Sequence, residues 1–264
     1  MWNPYEPIAA GTRRALGLSS VLTILGIWAA LAGFSLVSPA RLPAPLAVLS
    51  ALSRLAWDPA RGESRLFDAT LASVSRVLVA GVLVIVVGVP IGILMGASPR
   101  LNAALSPLVD PFRSAPVVAF LPILVMWLGI GELMKVAFLF VGAVVFLIPM
   151  VRDAILAVPQ QHWISARDLG ATPWEAVRVS VIPMARPRIA DAITVAVSVM
   201  WTYITVAEYV NAREGLGQMI QNSKRFSAMD QVFAGIIVII ALALVTYQTM
   251  SWIKRKLYSW ETQI

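Results

Sequence analysis

The sequence predicts an all-α polytopic membrane protein with six membrane-spanning helices, and three observations lead there. Of the 264 residues, 59% are hydrophobic and only 13% charged, where a soluble domain carries roughly 25% charged residues. The mean hydropathy is +0.79, so lipid rather than water is the main solvent. The apolar residues also gather into runs of near-bilayer length. Those runs are continuous rather than alternating, against the pattern that a transmembrane barrel requires.

Crossing a hydrocarbon core takes about 20 mostly apolar residues. Six segments approach this: residues 18–37, 71–95, 114–131, 136–157, 192–207 and 231–253. The third is interrupted by Pro116 and Pro122. Arg13 and Arg14 precede the first run in the manner of a signal peptide. However, residues 15–40 carry no charge at all, too long for a signal-peptide core, and this run reads as a retained membrane helix.

Charge asymmetry sets the orientation. With the N-terminus inside, the inner segments hold twelve of the 21 Lys and Arg residues and the outer ones eight, Arg61 among them; Arg76, near the outer end of the second run, makes up the total. Basic residues collect on the cytoplasmic side, so both termini are expected there. The same bias explains the formal charge of +7 without nucleic acid. The chain reads as one domain over residues 1–264, with no internal repeat. Outside, residues 46–57 read as a weakly amphipathic helix bearing Leu46, Leu49 and Leu52, and residues 211–230 form the last external connection.

Several function classes drop out. There is no cysteine and one histidine, His162, which removes a disulfide framework, a cysteine nucleophile and a His-rich metal site. There is no H-E-x-x-H, no G-x-S-x-G and no G-x-x-x-x-G-K-[ST] loop, so neither an intramembrane enzyme nor a chain that cradles ATP phosphates itself is expected. No cofactor is expected on this chain.

Residues 159–188 form the one long cytoplasmic connection, PQQHWISARDLGATPWEAVRVSVIPMARPR. Residues 165–169 are expected to form a helical turn that Gly170 breaks. Pro173 then starts a second short helix carrying Trp174, Glu175, Val177 and Arg178, and Pro183 ends it. Two short helices joined at a glycine make a projection suited to a partner's groove. A solvated loop with a basic flank is the plainer alternative, and a passive channel would have no use for such a loop.

This stretch resembles the cytoplasmic loop of ABC importer permeases, whose pattern is Glu-Ala-Ala, three residues, Gly, nine residues, then Ile-x-Leu-Pro. Ala166, Gly170, Ile182 and Pro183 keep the frame, whereas Ile164, Ser165 and Ser180 depart from it. The segments LPAPLAVLSAL, ATLASVSRVLVAGVLVIVVGVPIGILMG, PLVDPFRSAPVVAFLPILVMWLGIGELMKV and ARDLGATPWEAVRVSVIPMARPRI resemble, in order, the nitrate, sulfonate, taurine and bicarbonate group of these permeases. The resemblance implies the type I ABC importer fold in the bacterial plasma (inner) membrane. It also implies a second copy of the chain, ABC ATPase subunits that bind ATP and Mg, and a periplasmic or lipid-anchored substrate-binding protein. The loop becomes the coupling element, with Ala166, Arg167, Asp168, Leu169, Gly170, Ala171, Trp174, Glu175 and Pro183 as its residues. The cargo implied is a small anion, with a neutral or cationic nitrogen compound as the alternative.

Other residues carry expectations of their own. Gly88, Gly92 and Gly96 fall four apart and allow close helix approach in lipid, within one subunit or at a dimer seam. Asp110 and Arg113, three apart, are placed to meet on one helical face, as an interfacial ion pair or with Arg113 attracting an anion at the inner mouth. Irregular backbone at membrane depth is tolerated only where protein or a water-filled cavity covers it. That points to the third and fifth spans as pathway walls, with Arg113, Ser114, Pro116, Trp201, Thr202, Tyr203 and Thr205 as lining residues. Glu208 reads as the outer end of its helix, with a gate charge as the alternative, and Arg76 as snorkelling or pairing with Asp68.

Overall fold

The computed structural model describes residues 8–34, 36–57, 64–210 and 213–260. Arg61 and Asn211, both counted above on the outer side, lie outside the described residues. Eleven helices occur among them: α1 (Ala10–Gly33), α2 (Pro45–Ala56), α3 (Arg65–Ala97), α4 (Pro99–Val109), α5 (Leu121–Leu128), α6 (Glu132–Leu156), α7 (Gln160–Asp168), α8 (Pro173–Ala176), α9 (Ile182–Tyr209), α10 (Leu216–Arg225) and α11 (Met229–Leu257). The chain divides into two compact units, Met1–Arg65 with Ile220–Ile236, and Leu66–Met219 with Ile237–Ile264.

Five helical stretches are long and apolar enough to cross a membrane: those of α1, α3, α6, α8 with α9, and α11. The third predicted span is not one helix. The chain from Pro99 to Arg113 meets the chain from Val117 to Leu128 at a bend of 99°, so this span is broken or re-entrant. The cause is local. Pro111 lacks an amide hydrogen and closes off α4, Pro116 caps a second 3₁₀ turn, and Pro122 sits in the first turn of α5, so the chain between them is left as short 3₁₀ turns at Pro111–Arg113 and Val117–Phe120.

In the smaller unit, Trp28 Nε1 donates to the Pro43 carbonyl at 3.0 Å and its ring stacks on Phe233. None of the apolar window of α1 is buried, as suits a helix bathed in lipid or covered by another chain. Helix α2 forms where the sequence places it, but it turns the other way. Val48, Ala51 and Leu55 are buried, whereas Leu46 and Leu49 are 79% and 62% exposed. Leu52, half-buried, lies at the edge of the packed face, and the smaller Val48 and Ala51 at its centre allow closer packing.

The larger unit is built around α6. Phe138, Leu139, Ala143, Leu147 and Val151 are all fully buried along it. One side of α6 receives α9: the Phe138 and Tyr203 rings meet edge-on at 5.9 Å, and a Cβ on Gly142 would stand 2.7 Å from the Tyr203 ring. The other side receives α3 through the glycine stripe. A Cβ on Gly88 would meet Leu147 at 2.9 Å, one on Gly92 would meet Val151 at 2.6 Å, and one on Gly96 would meet Ile155 at 2.6 Å. The partners on α6 repeat every four residues, as the glycines do. The stripe is therefore packing within one subunit, a small-residue ridge laid against a branched one.

Candidate functional site

The loop between α6 and α9 is rigid, and each bend has a named cause. Helix α7 ends in a Schellman arrangement: Gly170 N–H donates to the Arg167 carbonyl at 2.9 Å and Ala171 N–H to the Ala166 carbonyl at 3.1 Å. This requires a left-handed residue after the helix, and Gly170 supplies it at φ +91°. Thr172 and Glu175 then form a reciprocal capping box that starts α8, with Pro173 at its first position. Ser180, a departure from the loop pattern, donates to the His162 carbonyl at 2.9 Å and ties the end of the loop back to α7. Arg167 lies over the Trp163 ring and donates to the Ala171 carbonyl.

Pro183 does not end the second helix. Residues Val177–Val181 form a π-turn that runs straight into α9. Widening the turn to i→i+5 contacts makes room for a proline without the usual clash against the preceding turn. The second element of the loop is thus the first turns of a continuous stretch, Pro173–Tyr209, of 37 residues. What this frame displays is apolar: Leu169 is 91% exposed, and Trp174 and Ile164 are also exposed. Asp168, Ala171 and Glu175 lie around them in the same short connection.

At the same end of the unit, an open recess is lined by Asp110, Arg113, Ser114, Phe146 and Arg152. Asp110 does not pair with Arg113. Arg152 Nη1 donates to both Asp110 carboxylate oxygens at 3.0 and 3.1 Å, while its Nε donates to Asp153 at 3.0 Å. The α-helix stops at Val109 and the chain turns at Pro111, so the helical i,i+3 geometry is lost. Arg113 is left exposed at the rim, without an ion pair among the described residues. Pro116 caps the following 3₁₀ turn.

On α9 the four expected pathway residues face different ways. Trp201 is buried and donates to Thr246 Oγ1 on α11 at 3.2 Å. Tyr203 packs against α6, Thr202 is exposed, and Thr205 is half-buried.

The densest polar cluster lies at the opposite end. Arg76 Nε and Nη2 grip the Glu132 carboxylate at 2.6 and 2.8 Å, and its Nη1 donates to Glu208 at 2.6 Å and to the Glu214 carbonyl at 2.9 Å. Glu208 is fully buried. It also accepts from Ser73 Oγ and Gly217 N–H, each at 2.7 Å, and the Ser73 hydroxyl accepts from Leu216 N–H at 2.9 Å. Lys135 completes the set by donating to Glu132 at 2.7 Å. Arg76 pairs with these two glutamates rather than with Asp68, and Glu208 is the hub of the cluster rather than a loose helix end. Burying charge is costly unless it is paired and hydrogen-bonded, and among the described residues no buried side-chain polar atom lacks a partner.

This cluster escaped the sequence reading, although a signal for it was present. Arg76, Glu132 and Glu208 all sit near the same boundary of three apolar runs, where opposite charges must find one another. Helix α3, at 33 residues, is about 50 Å long against a hydrocarbon core of about 30 Å. Its first turns therefore project, and Arg76 comes level with helix ends 56 and 132 residues away. Among the described residues no group of three or more metal-ligating side chains gathers at any of these places.

Comparison with known proteins gives this arrangement its family. The binding-protein-dependent transport system inner membrane component family matches residues 88–258. The taurine transport system permease protein TauC of Escherichia coli (strain K12) is 30% identical over 249 residues, covering 94% of this chain and 90% of its own. The bicarbonate transport system permease protein CmpB of Synechococcus elongatus is 26% identical, over 91% of this chain and 88% of its own. Among solved structures, an inward-facing conformation of the MetNI methionine ABC transporter superposes with a TM-score of 0.64 at 25% identity, covering 71% of this chain and 94% of that one. A bacterial ABC transporter for alginate import shares the fold over 92% of this chain, with a TM-score of 0.54 at 16% identity. The chain belongs to the family of binding-protein-dependent transport system inner membrane components, and it is a multi-pass permease subunit of an ABC importer.

Proposed function

We propose that residues 159–188 dock a separate ATPase, which binds ATP and Mg and hydrolyses the nucleotide while this chain carries the cargo. The observation behind this reading is the pairing of a rigid loop with exposed apolar side chains, Leu169 and Trp174 above all. Apolar residues held out from an aqueous connection by caps and hydrogen bonds are the mark of an interaction site. The positive-inside bias puts this end in the cytoplasm. Two copies of the chain associate, which gives the pathway a twofold symmetry. The large exposed faces of α1 and of α5, where Met126 and Trp127 stand out, are consistent with such an assembly.

An external binding protein, periplasmic or lipid-anchored, supplies the cargo. The cargo is a small anion, the class for which the sulfonate-type and bicarbonate relatives are named. Arg113 at the rim of the recess supports that class, with Ser114 beside it in the lining and Pro116 two residues further on at the inner mouth. Thr202 and Thr205, with Tyr203 and Trp201 behind them, line the α9 side of the route. The test is uptake into proteoliposomes holding this chain, its ATPase and its binding protein. Radiolabelled alkanesulfonate, bicarbonate and nitrate are offered as the anion set, beside taurine, a zwitterion that carries the same sulfonate, and methionine, a zwitterion that carries none, as the control. ATP-dependent accumulation of taurine or of one member of the anion set is the expected result. Accumulation of methionine alone, or entry that needs no ATP, contradicts the proposal.

A further inference from the structure

The buried cluster does more than neutralise itself, because of what it holds. Two of its hydrogen bonds end on backbone N–H groups, those of Leu216 and Gly217, and a third takes the carbonyl of Glu214. Three side-chain contacts from α3 and α9 therefore fix a four-residue backbone segment, 214–217. At two of its positions, Gly215 and Gly217, the approach is too close for a side chain. Gly215 sits at φ +134°, and a Cβ there would fall onto the Glu208 carboxyl. A Cβ on Gly217 would stand 2.9 Å from the Thr205 carbonyl oxygen and from Thr205 Cα. The segment is thus laid backbone to backbone on the turn of α9 that carries Thr205, one turn beyond the exposed Thr202.

We propose that Glu208 and Arg76 are positioning residues that hold residues 214–217 against Thr205, making this segment the outer wall of the transport pathway. The assignment rests on the reading of Thr202 and Thr205 as pathway residues. Glu208 supplies acceptors on both sides of the joint: one oxygen takes Ser73 and Arg76, the other takes Gly217 N–H. Arg76 links that joint to α6 through Glu132 and to the segment through the Glu214 carbonyl. Removing the Glu208 charge leaves Arg76 with one partner fewer and Gly217 N–H with a weaker acceptor, so the segment lifts.

The chain contains no cysteine, so single cysteines report cleanly. Thr202→Cys and Thr205→Cys are made in the assembled complex, and labelling by a membrane-impermeant maleimide is followed from outside, with Ile24→Cys on α1 as the lipid-facing control. Thr202→Cys is expected to react and Ile24→Cys to stay silent. Adding Glu208→Gln should raise the labelling rate of Thr205→Cys about tenfold, which corresponds to about 1.4 kcal/mol. The rate at Thr202→Cys should hold steady. Gly217→Ala keeps every charge in place yet forces the segment away from Thr205, and it should change the rate in the same direction. Where Glu208→Gln does not insert, Gly217→Ala decides alone. A silent Thr202→Cys removes the pathway reading, and the wall with it. A reactive Thr202→Cys with unchanged labelling of Thr205→Cys in the folded variants leaves the pathway standing and overturns the positioning role.

Discussion

At the scale of single residues, the most consequential side chain is Glu208, fully buried at the end of α9 and bonded to Ser73 and Arg76 on α3 and to Gly217 on α10. Breaking a buried pair by deleting one partner typically costs about 3–5 kcal/mol, because the other charge is left uncompensated. Glu208→Ala should therefore sharply lower the melting temperature of the detergent-solubilised protein. Glu132→Gln should cost clearly less, since the Glu132 side chain is 62% exposed, Arg76 keeps Glu208, and the amide oxygen still accepts from the buried Lys135. Equal losses in a fluorescence-detected thermal series would show that the cluster is not centred on Glu208. None of this was legible from composition. Pairing of Arg76 with Glu132 and Glu208 depends on how far α3 projects, and a sequence gives helix lengths more readily than relative depths. Local spacing misled for the same reason at Asp110, which is drawn to Arg152 across the recess once proline has ended its helix.

At the scale of elements, the legible features were those with local causes. The glycine stripe of α3, the break at Gly170 and the start at Pro173 all follow from steric rules that act within a few residues, and each stands where the sequence puts it. What escaped were features that combine local and distant terms. Pro183 was expected to stop a helix, but the π-turn before it absorbs the misfit. The face of α2 was read from its larger leucines, whereas packing selects Val48, Ala51 and Leu55. The loop between α6 and α9, proposed to dock the ATPase, carries the prediction at this scale. A β-carbon on Gly170 meets no neighbour, so the obstacle to substitution is its φ of +91°, a strain of about 1–3 kcal/mol for a residue other than glycine. Gly170→Asp should leave the protein inserted, because the loop is aqueous and remote from the packed helices. It should nonetheless distort the Schellman end that presents Leu169. Reduced ATPase copurification, or hydrolysis uncoupled from uptake, is the expected result for the reconstituted variant. Uptake at the unmodified rate, with hydrolysis still stimulated by the binding protein, would show that the loop is not the coupling element.

At the scale of the whole molecule, the larger unit of the permease carries two distinct constructions at opposite ends of its long helices α6 and α9. One end presents an apolar, rigidly capped loop; the other locks backbone to helix through buried charge. Between them α6 and α9 run as long packed helices, and such a pair can transmit displacement at the loop to the far end as movement of a rigid element rather than as bending. The account depends on the loop meeting an ATPase. The most direct measurement is a disulfide or short maleimide cross-link from Leu169→Cys, the most exposed apolar position of the loop, in complexes purified with the ATPase. The account predicts a single cross-linked species joining this chain to the ATPase, formed from Leu169→Cys and from Trp174→Cys but not from Leu46→Cys, with a yield that changes when ATP and Mg are added. Efficient cross-linking from Leu46→Cys, or none from Leu169→Cys in a complex that still transports, would contradict it.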